Sequence, residues 1–187
     1  TGFVAGFTGE AIEKGIGEMG VETDFVRLEK GFSRINIKLR NDAPTETELN
    51  GNGPDIPENK VDELFQKLEK IGNGDTIVLA GSIPPSLSDD IYEKILERLQ
   101  GKNIRAVVDA SGELLLKVLK YKPFLVKPNN IELGNLFNVT INTTEKAAEY
   151  ALKLKEAGAV NVLVSMGEAG AVLVDENGEI RTKSAFS

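Results

Sequence analysis

The sequence has 187 residues, 41% of them apolar, and is long enough to bury a sizeable core as a single domain. Its net charge of −7 argues against nucleic acid or an anionic membrane as the main partner, because both bind a basic face. With neither histidine nor cysteine, it excludes Ser-His and Cys-His nucleophiles and disfavours soft-metal sites, which leaves oxygen ligands for any metal.

A strand and a helix are predicted at the start of the sequence. Residues 2–6 are typical of the end of a strand. Ile12, Ile16 and Met19 then follow at helical spacing behind Thr8, which is the predicted N-cap.

A hairpin of two strands is predicted next. Ile35, Ile37 and Leu39 alternate with polar residues, which indicates a strand with one solvated face. A turn at 41–44 and a second strand at 45–49 complete the pair. Two strands are marginally stable alone, so this hairpin needs the main body or another subunit as a partner.

Helices and short apolar strands alternate after Pro57. The predicted helices lie around 61–71, 91–99, 114–119, the residues after 130, and 146–157. The predicted buried strands cover 76–80, 106–109, the run that ends at 127, and 161–165. This alternation implies an α/β fold in which a parallel sheet carries helices on both faces. Residues 171–174 and 179–183 then flank a hairpin signal at 175–178.

Four of these strands end in polar, turn-prone segments. The segments are 80–85 (AGSIPP), 108–112 (VDASG), 127–132 (KPNNIE) and 165–170 (SMGEAG). Each alone is explained as an ordinary turn. Because the carboxyl ends of parallel strands meet at one edge of a sheet, the four together predict a binding crevice there.

Two interpretations of the segment after the third strand stay open. Pro128 ends the strand, since it has no N–H for the ladder. Asn129 and Glu132 have the spacing of a helix capping box, which is a structural role. Their position at a strand end equally suits a ligand-binding role.

Common phosphate loops are absent from the sequence. The segment SMGEAG has Rossmann-like glycine spacing, but Gly170 leads into an apolar strand and not into a helix. No Walker-type motif occurs. Arg34 lies on the polar face of the predicted hairpin, and its planar guanidinium suits phosphate binding. A lone arginine on a strand is also explained as a solvated surface charge.

Taken in order, these segments resemble the ribokinase-like carbohydrate kinases of the phosphofructokinase B branch. The matching stretches are 6–9 (GFTG), 33–38 (SRINIK), 50–54 (NGNGP), 80–85, 108–112, 127–132 and 165–170. The resemblance is greatest to bacterial 1-phosphofructokinases and tagatose-6-phosphate kinases. It implies ATP- and Mg²⁺-dependent phosphorylation of a ketohexose monophosphate, with fructose 1-phosphate the expected substrate.

The resemblance also implies a sugar side of the site. Arg34, with Asn36 beside it, would approach the phosphate already on the sugar. Ser82 would contact the same phosphate from the end of its strand. Asp109 matches a family position whose role is left open.

A nucleotide side is implied in the same way. Lys127, Asn129 and Glu132 would bind Mg–ATP, and Glu132 would act on Mg²⁺ indirectly. The phosphates of the nucleotide would be lined by Ser165, Gly167 and Gly170.

The domain organisation implied by the resemblance is a partial kinase core, residues 1–26 with 55–187, and a β-lid at 27–54. Such lids often pair across a homodimer. With no cysteine in the sequence, a cytoplasmic location is expected. The family's Gly-Ala-Gly-Asp motif, which carries the catalytic base, is expected beyond Ser187, so these residues alone are expected to be inactive.

Three alternatives remain at this point. Another sugar or nucleoside kinase of the superfamily is disfavoured by Arg34, since an unphosphorylated substrate needs no such cation. A non-catalytic nucleotide-binding module would lack the motif altogether. A generic α/β domain would explain each turn but not their order.

Overall fold

A computed structural model describes residues 1–40 and 46–185 and divides them into two compact units. The first unit comprises Thr1–Lys70 with Ile83–Ser88, and the second comprises Ile71–Ser82 with Asp89–Ser187. The turn predicted at 41–44 lies outside the described residues. The predicted lid boundaries at 27–54 differ from this division, and the lid assignment stays a prediction.

The first unit is built on a short parallel pair of strands. Strand β1 (Phe3–Ala5) pairs with β2 (Val26–Leu28), and helices α1 (Gly6–Glu18) and α2 (Glu58–Leu68) belong to the same unit. Its apolar cluster contains Ala5, Leu28 and Ile56, with Phe3, Val61 and Leu87 packed against them.

The predicted N-cap at Thr8 is wrong. Helix α1 begins directly at Gly6, whose φ of 55° lets the chain turn from strand to helix without a loop, and Ala5 is the N-cap. The Thr8 hydroxyl lies inside the first turn and donates instead to the carbonyl oxygen of Ser33, at 2.9 Å.

The predicted pair of strands is present as an antiparallel hairpin of β3 (Asn36–Arg40) and β4 (Glu46–Asn50). Ile37 lies opposite Leu49, and Lys38 lies opposite Glu48 with 2.6 Å between Nζ and Oε1. Alternate side chains therefore give the hairpin one apolar and one charged face.

The second unit contains the predicted parallel-dominated sheet. Strands β5 (Thr76–Ala80), β6 (Arg105–Asp109), β7 (Leu125–Val126), β8 (Asn161–Ser165), β9 (Ala171–Val174) and β10 (Ile180–Lys183) lie side by side in chain order. The first four are parallel, and the last two form the predicted antiparallel hairpin. The α/β class predicted from the sequence is confirmed.

Helices form a continuous layer in this unit. They are α3 (Ile91–Arg98), α4 (Gly112–Val118), α5 (Asn130–Phe137) and α6 (Thr144–Glu156), and each packs on the next. Helix α6 lies against β8 and β9 through buried alanines and Leu154. None of the helices in the described part of the chain has the length and apolar character needed to span a bilayer.

The expectation that 76–80 is a buried strand is wrong for three of its five residues, which are exposed. β5 is an edge strand of the sheet, and its burial alternates along the strand. Ile77 and Leu79 are buried with the facing residues of β6, whereas Val78 lies on the opposite face and is 61% exposed.

A partly exposed ion-pair cluster in the first unit gives a prediction of how stability depends on pH. Hydrogen bonds from Lys67 and Lys70, at 2.5 and 3.0 Å, lower the pKa of the Asp24 carboxyl from 3.8 to about 2. A lowered folded-state pKa stabilises the fold above the unfolded value, and the contribution is lost as pH falls through the folded value. We expect Asp24→Asn to lower the melting temperature at neutral pH, with the difference from wild type vanishing between about pH 4 and pH 2.

Thermal unfolding at several pH values measures this difference, with Glu22→Gln as a control of equal charge change. A deficit of Asp24→Asn that stays constant down to about pH 2 would contradict the assignment.

Candidate functional site

The carboxyl ends of three neighbouring strands meet at one edge of the second unit's sheet. The backbone N–H of Lys127 donates to Val108 at 3.2 Å, which joins the ends of β7 and β6. That of Ser165 donates to Pro128 at 3.1 Å, and Asn129 forms a parallel bridge with Ser165. The main chain thus places the segments after β6, β7 and β8 side by side, as the parallel topology predicts.

The capping box predicted at the start of α5 is present. The Asn129 side chain accepts from the Glu132 N–H at 2.8 Å, and Glu132 Oε2 accepts from the Asn129 N–H at 2.8 Å. Asn130 adds a third contact, donating through its side chain to the Ile141 carbonyl oxygen at 3.0 Å. These bonds fix the direction of the Glu132 carboxylate, so the structural interpretation is confirmed and a ligand role stays a prediction.

A lysine and an aspartate form an ion pair at the same edge of the sheet. Lys127 Nζ lies 3.1 Å from Asp109 Oδ2, with the two side chains 41% and 40% exposed. A pair this exposed stabilises a fold by no more than about 1 kcal/mol. Its main consequence is positional, because it holds the Lys127 cation between the ends of β6 and β7.

The glycines after β8 differ in their surroundings. Gly167–Ala169 form one turn of 3-10 helix, and the Met166 N–H then donates to the Gly170 carbonyl oxygen at 2.8 Å. Gly167 has φ 59°, and a Cβ there would meet no atom within 4 Å. Gly170 has φ 94°, and its Cβ would lie 1.9 Å from the Lys183 carbonyl oxygen. Gly170 therefore has a packing role, and its nucleotide contact stays a prediction.

Arg34 and Asn36 belong to the first unit and are exposed. The residue before Arg34 is tightly held: buried Ser33 accepts from the Ala5 N–H through its hydroxyl, at 3.0 Å, and donates its own N–H to Ala5 at 3.0 Å. Ser33 was missed from the sequence, where it only marked the start of an alternating pattern. These bonds fix the main chain from which the Arg34 side chain projects.

Ser82 follows β5, one strand further along the sheet. The carbonyl oxygen of its neighbour Gly81 accepts from the Tyr92 hydroxyl on α3, at 2.8 Å. Burial, and second the charge of Asp109, raise the pKa of Tyr92 above its usual value of 10. Tyr92 was also missed, because its spacing in the sequence matches an ordinary buried position of α3.

An open cavity of about 600 Å³ lies elsewhere in the first unit. It is lined by the segments 28–31 and 53–55 and by the start of α2, including Lys30, Asp55 and Lys60. None of the residues predicted for the site lines it.

A family model described as pfkB family carbohydrate kinase matches residues 1–187, the whole sequence. The chain belongs to the pfkB family. The resemblance found in the ordered segments is thereby confirmed at the level of the family and the fold. The roles that it implied for individual side chains stay predictions.

Curated relatives of this pfkB chain carry the names of ketohexose phosphate kinases. It is 48% identical over 172 residues to a 1-phosphofructokinase of Bacillus subtilis, covering 92% of this chain and 56% of the relative. It is 34% identical over 185 residues to a D-tagatose-1-phosphate kinase of Bacillus licheniformis, covering 98% and 60%. The chain thus spans little more than half the length of these relatives.

A solved structure supports the fold. Phosphofructokinase-2 from Escherichia coli, in complex with substrates and products, superposes with a TM-score of 0.85 at 27% identity. The match covers 96% of this chain and 59% of that one.

The Mg²⁺ expected from the resemblance has few possible protein ligands in the described part of the pfkB chain. In the described residues, no group of three or more Asp, Glu, Cys or His side chains could cage a metal. Mg²⁺ needs no such cage, since it keeps several waters and binds through one or two carboxylates together with substrate phosphates. The oriented Glu132 is one carboxylate of this kind at the strand edge, whereas Asp109 at the same edge is paired with Lys127. A Mg²⁺ held by Glu132 together with a nucleotide stays a prediction.

Proposed function

We propose that the full-length protein containing this chain transfers the γ-phosphoryl group of ATP to a ketohexose 1-phosphate, with fructose 1-phosphate the first candidate. One observation supports this beyond family membership: the strand edge holds an amide and a carboxylate fixed by a capping box, and a lysine held by an ion pair at the end of the neighbouring strand. Phosphoryl transfer is catalysed mainly by positioning and by neutralising charge, and these groups supply both.

The nucleotide side of the proposed site is formed by the second unit. Mg–ATP, when bound, supplies the phosphoryl group and a divalent charge. Glu132 would orient that charge through the metal's waters, and Lys127 would face the phosphates. Ser165 and Gly167 would line the phosphates of the nucleotide. At Gly167 the main chain could approach these phosphates closely, because the space beside this residue is open.

The sugar side of the proposed site rests on Arg34, Asn36 and Ser82. The names of the relatives favour a phosphate on carbon 1, as in fructose 1-phosphate and D-tagatose 1-phosphate, over tagatose 6-phosphate, which the resemblance had offered as the alternative substrate. The planar guanidinium of Arg34 can donate two parallel hydrogen bonds to two oxygens of such a phosphate. D-tagatose 1-phosphate is therefore the second candidate substrate.

A second copy of the chain is the proposed partner of the hairpin β3–β4. Ile37, Leu39 and Leu49 lie on its apolar face and are 48%, 53% and 55% exposed. Two such faces would bury each other in a homodimer. We place the reaction in the cytoplasm, since the 187 residues contain no cysteine and need no oxidising compartment.

Replacing Arg34 tests the substrate class. Loss of charge-assisted bonds to the phosphate costs about 1.5–3 kcal/mol per bond, so Arg34→Ala should raise KM for fructose 1-phosphate by about 10- to 100-fold. The KM for ATP, and any slow phosphorylation of unphosphorylated fructose, should stay unchanged. Steady-state kinetics of the full-length protein measure both.

Arg27→Ala is the matched control, because Arg27 is an exposed arginine of the same unit that pairs with Glu13. Equal effects of the two substitutions, or an Arg34→Ala defect as large with fructose as with its 1-phosphate, would exclude phosphate recognition by Arg34.

A further inference from the structure

Tyr92 is the one buried phenol that touches a strand end of the candidate site in the described residues. Its side chain leaves α3 and its hydroxyl donates to the Gly81 carbonyl oxygen at 2.8 Å, while the residue as a whole is only 8% exposed. Gly81 and Ser82 are both exposed at the end of β5. A buried side chain thus holds one side of an exposed peptide group.

The consequence follows from the geometry of that peptide. No cis peptide bond occurs in the described residues, so the Gly81–Ser82 unit is planar and trans. In a trans peptide the C=O and the following N–H point in opposite directions. With the Gly81 oxygen turned toward Tyr92, the N–H of Ser82 is turned away from the buried helix layer.

Gly81 makes this peptide easy to rotate. Its φ is 98°, a conformation that glycine adopts freely, and a Cβ at this position would meet no atom within 4 Å. No side chain at Gly81 restricts this peptide, and the hydroxyl of Tyr92 holds its carbonyl oxygen from the buried side. A phenol suits this task because it keeps its proton, and remains a donor, at neutral pH.

We propose that Tyr92 is a positioning residue that directs the Ser82 N–H and hydroxyl toward the phosphate of the sugar substrate. This inference rests on the proposed function. An N–H and a hydroxyl from one residue are the kind of donors that bind phosphate oxygens without adding charge. Tyr92 itself touches no substrate and acts through the Gly81–Ser82 peptide.

Tyr92→Phe tests the proposal, because it keeps the buried ring and removes only the donor. In the full-length protein we expect KM for fructose 1-phosphate to rise about five- to tenfold, as for the loss of one hydrogen bond. The kcat and the KM for ATP should stay within about twofold of wild type. Tyr150→Phe is the control, since Tyr150 lies on α6 and its ring contacts that of Phe137 at a tilt of 52°.

A second measurement separates this inference from the proposed function. The amide resonance of Ser82 is followed by NMR during titration with fructose 1-phosphate, in wild type and in Tyr92→Phe. We expect a shift in wild type that needs about five- to tenfold more ligand in the variant. If wild type shows the shift but no turnover, the proposed function fails and the positioning role stands.

Two outcomes overturn the inference. One is unchanged KM and unchanged Ser82 titration in Tyr92→Phe. The other is a lower melting temperature with kcat and both KM values altered together, which is the result of a merely structural role.

Discussion

Glu132→Gln in the full-length protein is expected to reduce kcat by about 10- to 100-fold and to raise the Mg²⁺ concentration needed for half-maximal rate. The reason is the loss of a fixed negative charge, since Glu132 Oε2 is already oriented by the Asn129 N–H at 2.8 Å. Glutamine at the third position of a helix can still complete a capping box. The free energy of unfolding should therefore change by no more than about 0.5 kcal/mol.

This substitution separates the two roles of Glu132, because glutamine keeps the helix cap and removes only the negative charge. Rates at a series of Mg²⁺ concentrations measure the charge, and urea unfolding measures the cap. Glu145→Gln is the control, since it removes a carboxylate from the first turn of α6. A Glu132→Gln enzyme with unchanged Mg²⁺ dependence would leave the carboxylate with a structural role alone.

Gly170→Ala is expected to destabilise the protein by about 2–5 kcal/mol, through backbone strain and a direct clash. At φ 94° and ψ −126° the residue occupies a conformation that side chains disfavour. The new Cβ would lie 1.9 Å from the Lys183 carbonyl oxygen and 2.8 Å from the Ala185 nitrogen. The end of β10 and the residues after it would have to move, because both contacts are with backbone atoms.

Gly167→Ala is the matched control three residues earlier. It shares the positive φ, but its Cβ would meet nothing within 4 Å, so only the conformational cost of about 1–2 kcal/mol is expected. Urea or thermal unfolding of the two variants gives the difference. Equal destabilisation would show that packing against the end of β10 does not explain Gly170.

The larger elements could be predicted because their patterns are local. The sequence predicts β5 at 76–80 and β8 at 161–165, as observed, since each is a short apolar run bounded by turn residues. Strand β2 was missed: Val26–Leu28 has three residues, too few for a period, and exists by pairing with β1. Its formation depends on contacts distant in sequence.

The residues of the candidate site also differ in whether a local pattern in the sequence indicates them. Asn129 and Glu132 were recognisable because a capping box has a fixed spacing of three residues. Ser33 and Tyr92 were not, since their bonds reach 28 and 11 residues along the chain to Ala5 and Gly81. Thr8 was misassigned for a related reason: its hydroxyl is used by Ser33, and no local pattern indicates that partner.

The most direct test of the central proposal is product analysis with the full-length protein, ATP, Mg²⁺ and fructose 1-phosphate. We expect ADP and fructose 1,6-bisphosphate in equal amounts, and neither product when the sugar phosphate or Mg²⁺ is left out. Binding of ATP without formation of any bisphosphate, from fructose 1-phosphate or D-tagatose 1-phosphate, would contradict the kinase assignment and leave a nucleotide-binding module.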